Sequence, residues 1–441
     1  MLDWSRTRRI LALALPIMGA MVSQSLLNLV DTAMVGVLGG DALAGVGLGG
    51  YATFMAISIV IGLGAGVQAM VARRKGEGER AHYAVPLNGG LLLGVAFAVP
   101  LTLLFFFGAD ALMMVVARQE GVREVAIPYF QARVLCVGAV AMNFAFRGYW
   151  NGINRSSVYM RTLVATHLLN IAISYVLIFG VLGFPKMGAV GAGIGTTVAL
   201  FIGSALYFVQ TALHARKNGF LRELPGRRVL SNILSVGLPN SMQQLLFASS
   251  LMVLFFIVGL VGSAEVAVAH VLITLVLFLI LPAIGLGLSA TSLVGQALGR
   301  QEPEDAYRWG WDVTRLAVGL LFLLAIPMWL FPDRILGLFL HEQALVELGR
   351  APLRITGVLV CLDGIAIVFT HALLGAGAAR SVMVVTLCVQ FFFFLPAAYI
   401  IGPVLGFGLL GIWLMQATQR LITAVWLGWL WVRRHWIHIE L

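Results

Sequence analysis

The chain has 441 residues, 60% of them apolar and only 11% charged, with a formal charge of +10. A soluble domain carries roughly 45–50% apolar and about 25% charged residues, so this surplus cannot be hidden in a soluble core. The positive excess lies in short loops between long apolar runs, which argues against a nucleic-acid-binding domain and for membrane topology.

Each run exceeds the roughly 18 residues needed to cross about 30 Å of hydrocarbon as a helix. The runs are continuous rather than alternating, so lipid-facing strands are excluded. Twelve helices are predicted, near 10–38, 43–72, 84–108, 122–150, 157–180, 188–213, 230–260, 264–298, 310–331, 345–374, 380–401 and 408–432. The first run is too long for a cleaved signal and lacks a small-residue cleavage site, so it is expected to remain as a span. Cys136, Cys361 and Cys388 fall inside apolar runs without metal-type spacing and read as small core residues.

Basic residues sort by loop. Arg6, Arg8 and Arg9 precede the first span, Arg73, Arg74, Lys75 and Arg80 follow the second, Arg216, Lys217, Arg222, Arg227 and Arg228 follow the sixth, and Arg433 and Arg434 end the last. The turns "GGDA" at 39 and "GSAE" at 262 have none. The positive-inside rule then puts both termini in the cytoplasm.

The two halves resemble each other. A shift of 223 residues lays "LP" at 15 on "LP" at 238, Gly36 on Gly259, Gly39 on Gly262 and "IGLG" at 61 on "IGLG" at 284, and "VLGF" at 181 recurs at 404. Six spans per copy is an even number, so the copies share an orientation. The expected organisation is an N-terminal six-helix lobe at 1–213, a cytoplasmic linker at 214–229 and a C-terminal six-helix lobe at 230–441. Two matched lobes around a central axis suit alternating access better than a pore or an enzyme.

Asp31, in "SLLNLVDTAMVG", is the first charge inside a span. A charge at the bilayer centre costs at least about 2.5–3.5 kcal/mol, so the carboxylate must find a partner or take up a proton. Gln24 and Asn28 share its helical stripe, at spacings of four and three. The fifth span offers Thr162, Thr166, Asn170 and Ser174 at intervals of four, with His167 beside them, and the sixth offers Thr196 and Thr197. These neutral hydrogen-bonders are expected to surround the acid in the N-terminal lobe and leave it free to gain and lose a proton. The alternatives stay open: Asp31 as a static packing residue, and the amides and hydroxyls as interhelical glue.

Pro16 removes a backbone hydrogen bond from the same helix and permits a bend; its repeat mate is Pro239. Asp363 is the rival acid in the tenth span, with His371 on nearly the same face and Arg420 as a possible neutraliser. Arg133 and Arg147 also lie near or inside spans. Tyr51, Tyr129, Phe130 and Tyr175 are candidates to line a substrate cavity through cation–π contact, although interface anchoring is the commoner role for Tyr. Enzyme motifs are missing: "HEQAL" at 341 lacks the second His of a zinc-protease helix, and no phosphate-binding loop is present.

The combination of "LALPIM", "NLVDTAMVGVLGGDALAGVGL", "GLGAGVQAMVAR" and "FRGYWNGINRS" resembles the MATE family of multidrug and toxic-compound extrusion transporters, and the Asp of "LVDT" resembles the DinF-like branch. The resemblance covers the whole chain. It implies an all-α polytopic membrane protein of twelve transmembrane helices in two pseudo-symmetric lobes around a V-shaped cleft. It further implies antiport of small organic compounds against H+ or Na+, with Asp31 as coupling carboxylate and Pro16 as the bend. Sodium-binding relatives have a second acid one turn after the fifth-span Asn. Here Ser174 stands there, which favours protons. The seventh span, "PNSMQQLLFASSL", lacks the Glu of the NorM-like branch, while Asp363 sits in the span where that branch has an Asp. The expected molecule is a monomer of the cytoplasmic (inner) membrane with no cofactor and no nucleic-acid partner; a sodium-coupled exporter and a lipid or lipid-linked precursor flippase are the alternatives.

Overall fold

A computed structural model describes residues 3–117 and 119–441. Among these residues the chain is helical throughout and contains no strand. The membrane-crossing helices are α1 (Trp4–Gly36), α2 (Gly40–Glu77, with a break at Gly62), α3 (Arg80–Phe107), α5 (Ser156–Phe179), α6 (Gly188–Asn218), α7 (Arg227–Val261), α8 (Ser263–Gly299), α9 (Pro303–Leu330), α10 (Gln343–Gly375) and α11 (Ala379–Val404). Between α3 and α5, α4 is a pair, Glu120–Val134 and Val137–Gly152, bent by 47°. It brings the helices long and apolar enough to cross from ten to eleven among the described residues.

The twelfth predicted span is present as the 26-residue α12 (Gly408–Arg433), which is long enough but less apolar. Gln416, Gln419 and Arg420 interrupt its apolar sequence. Several helices also run past their predicted starts: α1 begins at Trp4 rather than 10, and α9 at Pro303 rather than 310. Those polar first turns are amphipathic, and hydropathy alone does not register them.

Gly punctuates the helices where a side chain would not fit. Gly180 ends α5 with φ +70°, a conformation that costs an L-residue about 1–2 kcal/mol. On α6, a Cβ at Gly191 would fall 2.7 Å from the Leu177 carbonyl, at Gly195 2.5 Å from Ser174 Oγ, and at Gly203 2.5 Å from Thr166 Oγ1. This row of small residues lets α5 and α6 approach closely, the means by which membrane helices associate where apolar burial supplies little drive.

The chain forms two compact units, one of Leu15–Met242 with Leu441, the other of residues through Ala14 with Gln243–Glu440. Relative to the expected 1–213 and 230–441 lobes, the start of α1 packs with the C-terminal unit and the start of α7 with the N-terminal one. The cause is local. Arg6 donates 2.6 Å hydrogen bonds to Asp305 and Asp312 and stacks 3.6 Å over Trp309, while Arg9 bonds Gln296 at 3.2 Å. In the other unit the Gly62 N–H donates to Ser241 Oγ at 3.1 Å, and Ser241 donates to the Ile59 carbonyl at 2.8 Å. Both exchanges end near the prolines Pro16 and Pro239, where the backbone lacks an N–H for the carbonyl four residues earlier.

Candidate coupling and substrate site

In the N-terminal unit the polar faces of α1, α5 and α6 divide into two clusters rather than converging on Asp31. In the first, His167 of α5 reaches α1, its Nδ1 2.7 Å from Ser23 Oγ and its Nε2 3.1 Å from Gln24 Oε1. An amide oxygen can only accept, so Nε2 carries the hydrogen, and a neutral ring then takes the Ser23 hydroxyl at Nδ1. Gln24 also donates to Asn28 Oδ1 at 3.1 Å, and both amides are exposed.

The second cluster is buried between α5 and α6. Ser174 Oγ donates to Asn170 Oδ1 at 2.9 Å, across one helical turn. Thr196 Oγ1 lies 3.5 Å from the same oxygen but donates more closely to the Ala192 carbonyl, at 2.9 Å. Thr197 points elsewhere, donating to the Ala132 carbonyl of α4 at 2.8 Å. The Asn170 amide oxygen is therefore held by Ser174. Among the described residues no three His, Cys, Asp or Glu side chains come together as a metal cluster.

Asp31 stands apart from both clusters. Its Oδ1 is buried and makes no hydrogen bond. The expected shell of neutral donors does not form, because His167 bonds Ser23 and Gln24, Ser174 bonds Asn170, and Thr196 and Thr197 bond backbone carbonyls; the charge near enough to act on this carboxylate is the guanidinium of Arg133 on α4. Arg133 in turn has buried Nε and Nη1 atoms with no hydrogen-bond partner. Two opposite charges thus lie within electrostatic range without a joining hydrogen bond. The sequence contained Arg133, but helical stripes within α1 cannot show which residue of α4 lies opposite.

The aromatic candidates separate by burial. Phe130 is fully buried, edge-on to Phe105 at 6.2 Å, so it is a core residue rather than a cavity wall. Tyr129 is also buried, packing with Val35, Ile178 and Ala192. Tyr51 is half-buried, and Tyr175 is exposed beside Phe179.

In the C-terminal unit Asp363 of α10 accepts a 2.6 Å hydrogen bond from Arg420 of α12. His371 lies two turns further along α10, its Nδ1 donating to the Ile367 carbonyl at 2.8 Å while its own carbonyl accepts from Thr291. The anticipated neutraliser is therefore in place on Asp363, and the shared face brings no bond between Asp363 and His371.

Ionisable groups held inside membrane-crossing helices of a duplicated chain define a polytopic membrane protein of the transporter class. The MatE family model matches residues 16–176 and again 239–400, two copies beginning 223 residues apart at the paired prolines. The chain belongs to the MATE family, whose members are transporters rather than enzymes. It is 27% identical over 419 residues to a probable multidrug resistance protein NorM of Thermotoga maritima, covering 92% of this chain and 88% of that protein. A NorM relative of Pseudomonas aeruginosa is 28% identical over 422 residues, covering 92% and 85%. A crystal structure of a MATE protein in a straight conformation is 26% identical with a TM-score of 0.88, covering 97% of this chain and 95% of that one. A transporter of Pyrococcus furiosus shares the fold at a TM-score of 0.88 and 24% identity, covering 99% and 97%.

Proposed function

We propose that the protein is a proton-coupled antiporter that exports small organic compounds, cationic or lipophilic, by alternating access. The observation that carries this reading is the buried Asp31 oxygen without a hydrogen bond, in a family whose members transport. An oxygen so placed is neither fixed by a donor nor reached by solvent, so a proton is the ion that satisfies it with least rearrangement. Protonation from outside weakens its attraction to Arg133, lets α1 bend at Pro16 and releases the substrate; deprotonation toward the cytoplasm resets it.

The names of the NorM relatives support multidrug cargo, and the aspartate of "LVDT" supports the DinF-like branch. Loop charges support a chain in the cytoplasmic membrane with both termini inside. Gln24, Asn28, Tyr51 and Tyr175 are the polar and aromatic side chains with surface to offer a substrate, and the reading requires no cofactor and no second subunit. Asp363, held by Arg420, serves structure in this scheme.

The test is efflux of a lipophilic cation dye from proteoliposomes under separate proton and sodium gradients. Efflux driven by ΔpH and abolished in Asp31→Asn is the expected result; efflux that follows sodium and ignores ΔpH overturns the proton assignment.

A further inference from the structure

The face of α4 toward α1 is set by packing. Val35 of α1 and Tyr129 of α4 share one buried cluster, and the two helices run in opposite directions through the membrane. One turn back from Val35 is Asp31, and one turn on from Tyr129 is Arg133. In antiparallel helices these positions meet at the same depth, about 6 Å from the level of the cluster that holds Val35 and Tyr129. The charge interaction between Asp31 and Arg133 agrees with this register. The turn carrying Arg133 is held from behind by α6, because Thr197 bonds the Ala132 carbonyl and Gly193 lies against Tyr129 and Ala132.

Among the described residues, Arg133 is the one full charge that acts on Asp31. From α4 come Arg133 and the phenol of Tyr129, with Cys136 beside Arg133. From α5, His167 meets α1 two turns away, at Ser23 and Gln24. From α6 come Thr196 and Thr197, both committed to backbone carbonyls.

We infer that Arg133 is the residue that restricts coupling at Asp31 to protons, by occupying the field in which a sodium ion would otherwise have to sit. This inference rests on the exporter reading above. A sodium ion needs several oxygen ligands and gains nothing beside a fixed guanidinium charge. A proton binds one carboxylate oxygen covalently and needs no cage. The arginine therefore serves as the counter-charge of the deprotonated state, and its lack of a hydrogen bond to Asp31 keeps the acid free to exchange.

The test uses the full-length protein in detergent and in proteoliposomes, with Na+ as the probe. The wild type is expected to show no saturable Na+ response in calorimetry or tryptophan fluorescence at alkaline pH. Arg133→Gln is expected to gain one, at least tenfold tighter than any wild-type response, and Arg133→Gln with Asp31→Asn to lose it. In Arg133→Gln the pH of half-maximal proton-driven efflux rises by about one unit, the smallest effect usual for losing a nearby opposite charge, and Arg133→Lys restores it. Wild-type efflux that follows ΔpH, with Arg133→Gln unchanged in both pH midpoint and Na+ response, overturns the role of Arg133 alone. Wild-type efflux indifferent to ΔpH overturns the exporter reading itself. Should Arg133→Gln fail to fold, Arg133→Met and the wild-type Na+ titration decide: Asp31-dependent Na+ binding to the wild type overturns the inference.

Discussion

Arg420 Nη1 lies 2.6 Å from Asp363 Oδ2, a hydrogen-bonded ion pair that ties α12 to α10, with only 9% and 18% of the two side chains exposed. Asp31 and Arg133 form no such bond. Asp363 and Asp31 thus sit in opposite chemical situations, one clamped and one poised.

For the clamped pair, breaking it by Asp363→Ala leaves an uncompensated buried cation. The expected loss is about 3–5 kcal/mol of stability. Joint replacement by Asp363→Leu and Arg420→Met should recover most of it, because two charges no longer need desolvating. Thermal unfolding of the three proteins in detergent checks the order. Proton-driven efflux by the double variant would confirm that Asp363 is structural, and its loss with full stability would assign Asp363 a coupling role.

Asp31→Asn should separate stability from transport in the reverse sense. No hydrogen bond at Oδ1 is lost, so the melting temperature should fall less than in Asp363→Ala, while ΔpH-driven efflux falls at least tenfold. A melting temperature lowered as far as in Asp363→Ala would mark Asp31 as a packing residue.

Pro16→Ala restores an N–H for the Ala12 carbonyl and straightens the preferred path of α1. Stability is expected to hold or rise, and efflux to fall several-fold if bending at this position is part of the cycle. Efflux equal to the wild type would remove Pro16 from the mechanism.

The first turns of α1 are anchored by Arg6, which bonds Asp305 and Asp312 and lies 3.6 Å over Trp309. Arg6→Ala removes hydrogen bonds between charged groups worth about 1.5–3 kcal/mol each, and leaves two acids with one fewer counter-charge. A lowered melting temperature and an altered Trp309 emission should follow, with Arg6→Lys recovering part of the loss because a point charge keeps the attraction without the planar fork that bridges Asp305 and Asp312. An unchanged melting temperature in Arg6→Ala would show the anchor to be dispensable.

Gly195→Val should disrupt the α5–α6 seam. Even the first added carbon would come 2.5 Å from Ser174 Oγ, pushing apart the pair that satisfies Asn170. The expected cost is about 1–3 kcal/mol or more, as for other overpacked interfaces, read as a lower melting temperature with reduced efflux.

Much of this was legible in the sequence because hydrophobicity acts locally. A run of apolar residues must become a helix in lipid, since the backbone has no other way to satisfy its hydrogen bonds, and so the helices fell where the runs were. The duplication was legible for a similar reason, as Pro16 and Pro239 lie 223 residues apart with matching glycines between. Boundaries were less legible where helices leave the apolar region: Trp4–Arg9 and Pro303–Arg308 are polar, and what holds them together, Arg6 on Asp305, Asp312 and Trp309, lies about 300 residues apart in the chain.

Sequence alone therefore determined that the protein is a duplicated bundle of membrane helices with acids at 31 and 363, because those facts depend on composition and spacing along one chain. Tertiary structure decided which of those acids has a fixed cation and which has only a nearby one, that Phe130 is core, and that Asn170 is answered by Ser174. Such outcomes depend on how neighbouring helices rotate and slide against each other. A shift of one residue turns a helix by about 100°, and the pattern along a single helix does not specify that angle for its neighbour.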